Sequence, residues 1–107
     1  MPYSIYLTRH AAGDMDDIYE YVALNDVYGK ADRLIENIEI VIASLSENPH
    51  RGSFPRELTS IGIKAFREVF SGPYRIIYQV IEHSVFVMLV TDGRRDMQRL
   101  LQRRLLS

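Results

Sequence analysis

Three arginines are the residues of this sequence whose chemistry needs an explanation. Arg67, Arg75 and Arg95 lie within the stretch Ala65 to Asp96, on or just after segments that are predicted to be buried strands. Placing a guanidinium among apolar side chains costs free energy unless a partner accepts its hydrogen bonds and its charge. We therefore expect this stretch to carry the functional surface, with the residues before it acting as a scaffold.

Other kinds of chemistry have little support in the sequence. The chain has no cysteine, which excludes disulfides, thiolate nucleophiles and zinc sites of the cysteine type. Its histidines, His10, His50 and His83, fall at a helix start, in a loop and in a turn, and none is expected to form an acid–base pair with Arg75. The sequence shows no metal-ligand cluster, glycine-rich phosphate loop or nucleophile motif. We expect neither a metal nor a cofactor.

The charges are divided unevenly along the chain. The formal net charge is −1, but residues 1–60 carry five basic and ten acidic side chains, whereas residues 61–107 carry eight basic and four acidic ones. A positive second half favours an anionic partner, either nucleic acid or an acidic protein segment. The alternative is a domain whose acidic helices simply face away from a basic sheet, and the sequence leaves both interpretations open.

Helical periodicity dominates the first half of the chain. A short β-prone run at residues 3–7 precedes a helix predicted from Arg9 to about Leu24. A second apolar stripe predicts a helix from Ala31 to Leu45, and the short connection makes the two helices an antiparallel hairpin. The break between them is marked by Asn25, Asp26 and Gly29.

Residues 48–62 interrupt this pattern with two prolines and two glycines. They are predicted to form a surface loop, with Pro49 and Pro55 outside the core. Three strands are predicted after it, near residues 63–70, at 74–81 and at 85–91. The short turns between them indicate an antiparallel meander.

Alternation along the middle strand assigns its side chains to two faces. One face carries Arg75 beside Ile77 and Ile81, so it needs a lid or a partner. After a turn at Asp92 and Gly93, residues 94–106 predict a basic amphipathic helix. The other face is apolar or aromatic and is expected to lie under the helical hairpin: Tyr74, Ile76, Tyr78 and Val80.

These patterns predict a single α+β domain spanning residues 1–107. Its parts are an N-terminal strand, an antiparallel two-helix hairpin packed on one face of a three- to four-stranded antiparallel sheet, and a short C-terminal helix. The N-terminal residues lack the apolar segment of a signal peptide, and no apolar run approaches the roughly 20 residues that span a bilayer. We expect a cytoplasmic protein with no membrane partner.

The strand core YRIIYQVI at residues 74–81 and the later GRRD at residues 93–96 resemble, at this spacing, the RelE/ParE superfamily of toxins from bacterial type II toxin–antitoxin systems. The predicted order of elements is similar to that of the family across essentially the whole chain. The resemblance implies a toxin that is neutralised in a hetero-oligomer by a cognate antitoxin. The antitoxin's C-terminal segment, often acidic, would wrap the sheet and helices and suit the positive half of this chain.

One branch of the superfamily, typified by RelE, cleaves mRNA in the ribosomal A site, with arginines that hold the scissile phosphate. This chain is similar to that branch at Arg75 and Arg95. It departs from the branch at Phe66 and Glu68, where lysines are expected, and at Leu101, where the catalytic tyrosine is expected. The resemblance therefore implies an incomplete ribonuclease.

The GRRD sequence followed by a leucine- and arginine-rich tail resembles the ParE branch, whose members are associated with poisoning DNA gyrase. The leading hypothesis is a ParE-like toxin that binds and inhibits a target such as gyrase. One alternative is a RelE-like endonuclease that acts on the ribosome and its mRNA, with Arg75 and Arg95 as its catalytic residues. Another is an inactive module that only binds antitoxin. The residues expected to meet the target or the antitoxin are Arg67, Arg75, Arg94, Arg95 and Arg99.

Overall fold

A computed structural model describes residues 2–25 and 29–106 of the chain. The strands are β1 (Ser4–Leu7), β2 (Arg67–Ser71), β3 (Tyr74–Ile81) and β4 (Ser84–Asp92), and the helices are α1 (Arg9–Leu24), α2 (Lys30–Ser44), α3 (Arg56–Thr59) and α4 (Met97–Leu105). The α+β architecture and the predicted order of elements are confirmed, with α3 as an addition. Among the described residues, no helix has the length and apolarity needed to cross a membrane.

The four strands form one sheet in the order β1-β4-β3-β2. The predicted antiparallel meander of β2, β3 and β4 is confirmed. The sheet is nevertheless mixed, because β1 runs parallel to β4, with Ser4 opposite Ser84. A short turn forces its two strands to be antiparallel, whereas β1 and β4 are joined through the helices and most of the sheet, so no turn dictates their relative direction.

The helical hairpin of α1 and α2 covers the apolar and aromatic face of β3, as the alternation of residues along that strand predicted. Thr8 caps α1 by accepting a hydrogen bond from the Ala11 amide at 3.1 Å. Ile76 and Tyr78 of β3 lie in a core with Ile38 of α2, while Tyr74 and Val80 pack against it. The predicted break between the helices fits the ends of α1 and α2, although Asp26 itself lies outside the described residues.

A second core fills the opposite face of the sheet. Ile77 of β3 and Leu89 of β4 are buried there against residues from α3, from α4 and from the position just before β2: Leu58, Phe66, Met97, Leu100 and Leu101. α3 and α4 together are thus the lid that an apolar face carrying an arginine requires.

The prediction that residues 48–62 form a surface loop is wrong at several positions. Pro49, Gly52 and Pro55 are buried, and Leu58 enters the second core. The loop folds onto the sheet because Tyr78 supplies polar partners there: its hydroxyl donates to the Pro49 carbonyl at 2.7 Å and accepts from the Gly52 amide at 3.0 Å. A segment without periodicity can therefore be buried when a buried hydroxyl supplies hydrogen bonds to its backbone groups.

Candidate functional site

Arg75 is enclosed by two carboxylates. From β3, its Nε donates to Glu68 Oε1 of β2 at 2.7 Å. Its Nη1 and Nη2 donate to Glu57 Oε2 and Oε1 of α3 at 2.8 and 2.9 Å. The Arg75 side chain is only 11% exposed. Two elements thus converge on one guanidinium and leave little of it open to solvent.

The sheet register explains why Glu68 reaches Arg75. Glu68 pairs with Ile77 and Phe70 pairs with Arg75 across the β2–β3 ladder. Glu68 is therefore the diagonal neighbour of Arg75 on the same face, within reach of a long side chain. Glu57 arrives from outside the sheet, because Leu58 anchors α3 in the second core.

The electrostatics of this cluster favour the charged forms of Glu57 and Arg75. The hydrogen bonds from Arg75 hold the pKa of Glu57 below its ordinary value, against a smaller opposing effect of burial. The hydrogen bonds to Glu57 likewise raise the pKa of Arg75, although burial opposes them. One guanidinium facing two carboxylates has a net charge of −1, so an incoming phosphate would meet repulsion rather than attraction.

A cavity of about 470 Å³ lies beside the cluster. Arg56, Phe70 and Gly93 contribute to its lining, together with Arg75 and its two carboxylates. A β-carbon at Gly93 would lie 2.9 Å from Arg75 Cδ, so any other residue here would force the Arg75 side chain to shift. The GRRD sequence thus begins with a residue that makes room for the Arg75 stem.

Arg67 serves the fold. Its Nη1 donates to the backbone carbonyls of His50 and Gly52 at 3.1 and 2.8 Å. Its guanidinium lies 4.5 Å from the centroid of the Phe54 ring, which is a cation–π contact. These contacts fasten the loop between α2 and α3 to the start of β2.

The remaining predicted arginines lie at the surface. Arg94 is 81% exposed and donates from Nε to Asp92 Oδ1 at 2.9 Å, and this hydrogen bonding lowers the pKa of Asp92 to about 2. Arg95 and Arg99 are exposed, and neither side chain has a hydrogen-bond partner within residues 2–25 and 29–106. The five predicted arginines therefore divide into two held by the fold and three that face solvent.

Arg75 and Arg95 line different clefts. Arg95 lines a separate cleft of about 510 Å³ with Tyr21 and Tyr74, whereas Arg75 lines the cavity beside Glu57. Burial raises the pKa of Tyr74 in that cleft. The two arginines that were expected to hold a phosphate therefore line different clefts.

An apolar groove borders the edge of the sheet at β1. It has a volume of about 730 Å³ and is lined by Ile5 and Leu7 of β1, by helix residues including Ala12, and by the carboxylates Asp16 and Glu39. The amides of Ser4 and Thr8 donate to β4, at the carbonyls of His83 and Val87. Because amide directions alternate along a strand, Ile5 and Leu7 direct theirs to the open side.

Sequence reasoning missed two parts of this site. Glu57 lies in a segment without periodicity, so nothing in the sequence indicated that it would reach Arg75 across 18 positions. The groove at β1 depends on the parallel pairing of β1, which no turn predicted.

Among the described residues, no group of three or more metal-ligating side chains could hold a metal ion.

Comparison with known proteins assigns the family. The sequence pattern described as the ParE toxin of the type II toxin–antitoxin system parDE matches residues 5–97. The chain belongs to the ParE toxin family. No significant match is found among curated protein sequences.

Solved structures share the fold of this ParE-family chain. One comes from the chromosomal ParDE system of P. aeruginosa: it is 18% identical, with a TM-score of 0.70, covering 84% of this chain and 95% of that one. A chain from the RelBE2 toxin–antitoxin complex of Mycobacterium tuberculosis is 19% identical, with a TM-score of 0.64, covering 86% and 99%. A mutant of the E. coli toxin RelE in the free state is 19% identical, with a TM-score of 0.66, covering 99% and 100%.

Three positions of this ParE-family chain are those at which the RelE branch is expected to carry lysines and a tyrosine. Phe66 is 7% exposed and Leu101 is fully buried, and both lie in the second core. Glu68 is 8% exposed and hydrogen-bonded to Arg75. At all three positions the side chains are occupied in packing or pairing.

Proposed function

We propose that this ParE-family chain is the toxin of a type II toxin–antitoxin module, that it inhibits DNA gyrase by binding, and that a cognate antitoxin neutralises it. The observation that carries the proposal is the enclosure of Arg75 by Glu57 and Glu68. A ribonuclease of the RelE type would need this guanidinium to be available to the scissile phosphate. A toxin that acts by binding has no such need.

The second core supports the same choice. Attack of a 2′-hydroxyl on the adjacent phosphate, with departure of the 5′-oxygen, requires groups that transfer protons and neutralise charge. Phe66 and Leu101 can do neither, and their burial shows that the fold uses them for packing. The positions expected to carry chemistry therefore contribute stability instead.

The proposed target-binding surface consists of Arg94, Arg95 and Arg99 and is called the basic surface below. Arg94 and Arg95 follow β4, and Arg99 lies in the first turn of α4. Their exposure leaves three cations close together in the chain, where they can meet acidic groups on a protein target. Arg67 and Arg75 are proposed to support this surface indirectly, through the fold.

A gyrase assay with purified chain tests the proposal. Wild-type protein is expected to block supercoiling or to trap cleavage complexes. The Arg95→Glu/Arg99→Glu variant is expected to need at least about tenfold more protein, because charge reversal on a binding surface costs affinity. Arg33→Glu, a charge reversal at an exposed position of α2, is the matched control and should keep full potency.

Two results would contradict the gyrase proposal. The first is unaffected gyrase at an excess of wild-type protein. The second is A-site cleavage of translated mRNA, detected by primer extension, that vanishes in Arg95→Ala. The second result would replace binding by ribonuclease activity.

The antitoxin is proposed to bind in the groove at β1. An edge strand with outward amides at Ile5 and Leu7 accepts an extended segment as an additional strand. The groove lining is largely apolar but includes Asp16 and Glu39. The segment that fits is therefore extended and mainly apolar, with a basic residue near these carboxylates, while the basic surface stays available to the target.

Two alanine positions of α1 give a matched test of this groove. Ala12 lines the groove and is exposed, so Ala12→Arg would fill it without disturbing the core. Ala23 is exposed on the same helix and is not among the groove residues. With the antitoxin encoded beside the toxin gene, Ala12→Arg should escape neutralisation in cells and Ala23→Arg should not. Equal neutralisation of both variants would contradict the assignment.

A further inference from the structure

We propose that the cleft between α1 and the end of β4 is a docking site for an extended segment of the toxin's protein target, and that this segment carries an acidic and a basic side chain. The cleft has a volume of about 510 Å³, and Arg94 and Arg95 of the basic surface contribute to its lining. The inference rests on the proposed function only in that the chain acts by binding a protein. It does not require that protein to be gyrase.

The end of β4 presents a backbone acceptor to such a segment. β1 covers β4 only as far as Val87, and the Val90 amide beyond it donates away from β3, to Asp14. In an antiparallel ladder the amide and the carbonyl of one residue point to the same side, so the Val90 carbonyl also points away from β3. Val90, Thr91 and Asp92 line the cleft. An extended segment in the cleft can therefore donate a backbone hydrogen bond to Val90.

Two tyrosines line the cleft from different elements. Tyr21 of α1 is 71% exposed, and Tyr74 at the start of β3 is half-buried. Within residues 2–25 and 29–106, neither hydroxyl has a hydrogen-bond partner. Burial raises the pKa of Tyr74, so its hydroxyl remains a donor at neutral pH. Tyrosine and arginine are the residue types that contribute most to binding energy at protein interfaces, and both are present here.

The charges of the cleft leave one cation and one anion for the segment. Two carboxylates of the lining are already paired with arginines: Asp14 with Arg104, and Asp92 with Arg94. Arg95 and Asp17 also line the cleft, and both are exposed. Asp17 belongs to α1 and Arg95 follows β4, so the two charges come from different walls. A segment with a carboxylate for Arg95 and a basic side chain for Asp17 is complementary to both.

The cleft and the groove at β1 lie on different sides of α1. Asp17 and Tyr21 line the cleft, whereas Ala12 and Asp16 line the groove. Residues four apart lie on the same side of a helix, whereas Asp16 and Asp17 are neighbours in sequence and do not share a side. The target and the antitoxin are therefore expected to contact different sides of one helix.

Truncation of Tyr21 tests the proposal in cells that lack the antitoxin. The measured quantity is the amount of soluble toxin per cell that halves the growth rate. Tyr21→Ala is expected to raise this amount at least about tenfold, because it removes an aromatic anchor of the binding surface. Leu24→Ala is the matched control, since Leu24 is 86% exposed on the same helix and does not line the cleft. It should keep wild-type potency, and thermal melts of the three proteins should nearly coincide.

Charge reversal on α1 supplies a second arm. Asp17→Lys should also lose potency, because a lysine at this position repels the basic side chain of the segment. Glu20→Lys makes the same change at an exposed position of α1 outside the cleft and should not lose potency.

The proposal is overturned if Tyr21→Ala is as potent as wild type, if the two control variants lose as much, or if wild-type protein does not slow growth. A gyrase supercoiling assay with the same proteins keeps this proposal apart from the proposed function. Gyrase that wild-type protein leaves unaffected, while growth inhibition depends on Tyr21, would contradict gyrase as the target and support the cleft. Equal inhibition of gyrase by wild type and Tyr21→Ala would contradict the cleft and leave the proposed function in place.

Discussion

Asp14 and Arg104 form a bidentate ion pair that joins α1 to α4 across 90 positions of sequence. Arg104 Nη1 and Nη2 donate to Asp14 Oδ1 and Oδ2, each at 3.0 Å. The same two side chains hydrogen-bond the backbone of β4 past the residues that pair with β1. The Val90 amide donates to Asp14 Oδ2 at 3.0 Å, and Arg104 Nη2 donates to the Met88 carbonyl at 3.2 Å. The pair therefore satisfies a strand edge that would otherwise be open.

Removing Asp14 is expected to destabilise the protein. Asp14→Ala leaves the largely buried Arg104 guanidinium without its anion and the Val90 amide without its acceptor, at a cost of about 2–3 kcal/mol. Asp17→Ala, at an exposed position of the same helix, should stay within about 0.5 kcal/mol. Urea unfolding of the three proteins measures both effects. Equal stability of the two variants would contradict the role assigned to Asp14.

Two glycines are expected to respond in opposite directions to alanine. A β-carbon at Gly52 would lie 2.6 Å from the Glu68 carbonyl and from the Tyr78 hydroxyl, so Gly52→Ala should cost about 1–3 kcal/mol. A β-carbon at Gly13, inside α1, meets nothing within 4 Å, so Gly13→Ala should stabilise by roughly 0.5–1 kcal/mol. Thermal melts compare the two variants directly. A stable Gly52→Ala protein would show that the loop can move away from Tyr78.

Acid is expected to weaken the protein partly through Glu57. Its pKa is lower in the folded chain than in the unfolded one because Arg75 hydrogen-bonds the charged form. The stability it contributes is therefore fully present above the ordinary glutamate pKa of about 4.3 and is lost as pH falls through the lower folded value. Unfolding free energies measured from neutral pH into this acid range should fall more steeply for wild type than for Glu57→Gln.

High salt provides the control for the acid experiment. Asp92 shifts in the same direction, to a pKa of about 2, but its partner Arg94 is exposed. High salt should therefore remove most of the contribution of Asp92 to the free energy of unfolding. It should leave most of the contribution of Glu57, because the pair of Glu57 with Arg75 is enclosed. Identical acid profiles for wild type and Glu57→Gln would contradict the assignment.

Restoring a tyrosine at Leu101 is not expected to restore a ribonuclease. Leu101 is fully buried in the second core, so Leu101→Tyr should cost about 1–3 kcal/mol through overpacking. Its hydroxyl would be buried in that core rather than exposed to RNA. Primer extension on translated mRNA should show no A-site cuts with the variant, and Leu101→Met should fold with a loss below about 1.5 kcal/mol. New A-site cuts would show that the position faces substrate.

Periodicity in the sequence was sufficient to predict the helices and the meander. α1 and β3 begin and end at the predicted residues, and Ile76 and Tyr78 lie under the hairpin as their alternation indicated. These features follow from regular spacing of apolar residues, which is a local property of the chain. The direction of β1 was not predictable in this way, because alternation is the same in parallel and antiparallel strands.

Strand alternation is enough to predict that Arg75 lies on an apolar face in need of a lid, because it fixes the side on which a residue points. Which residues form the lid, and which partners the guanidinium has, depends on how distant segments pack together. α3 and α4 cover the face, and Glu57, from a segment with no periodic signal, takes the outer side of Arg75. Alternation depends only on neighbouring residues in the sequence, whereas an ion pair between distant segments depends on how the whole chain packs.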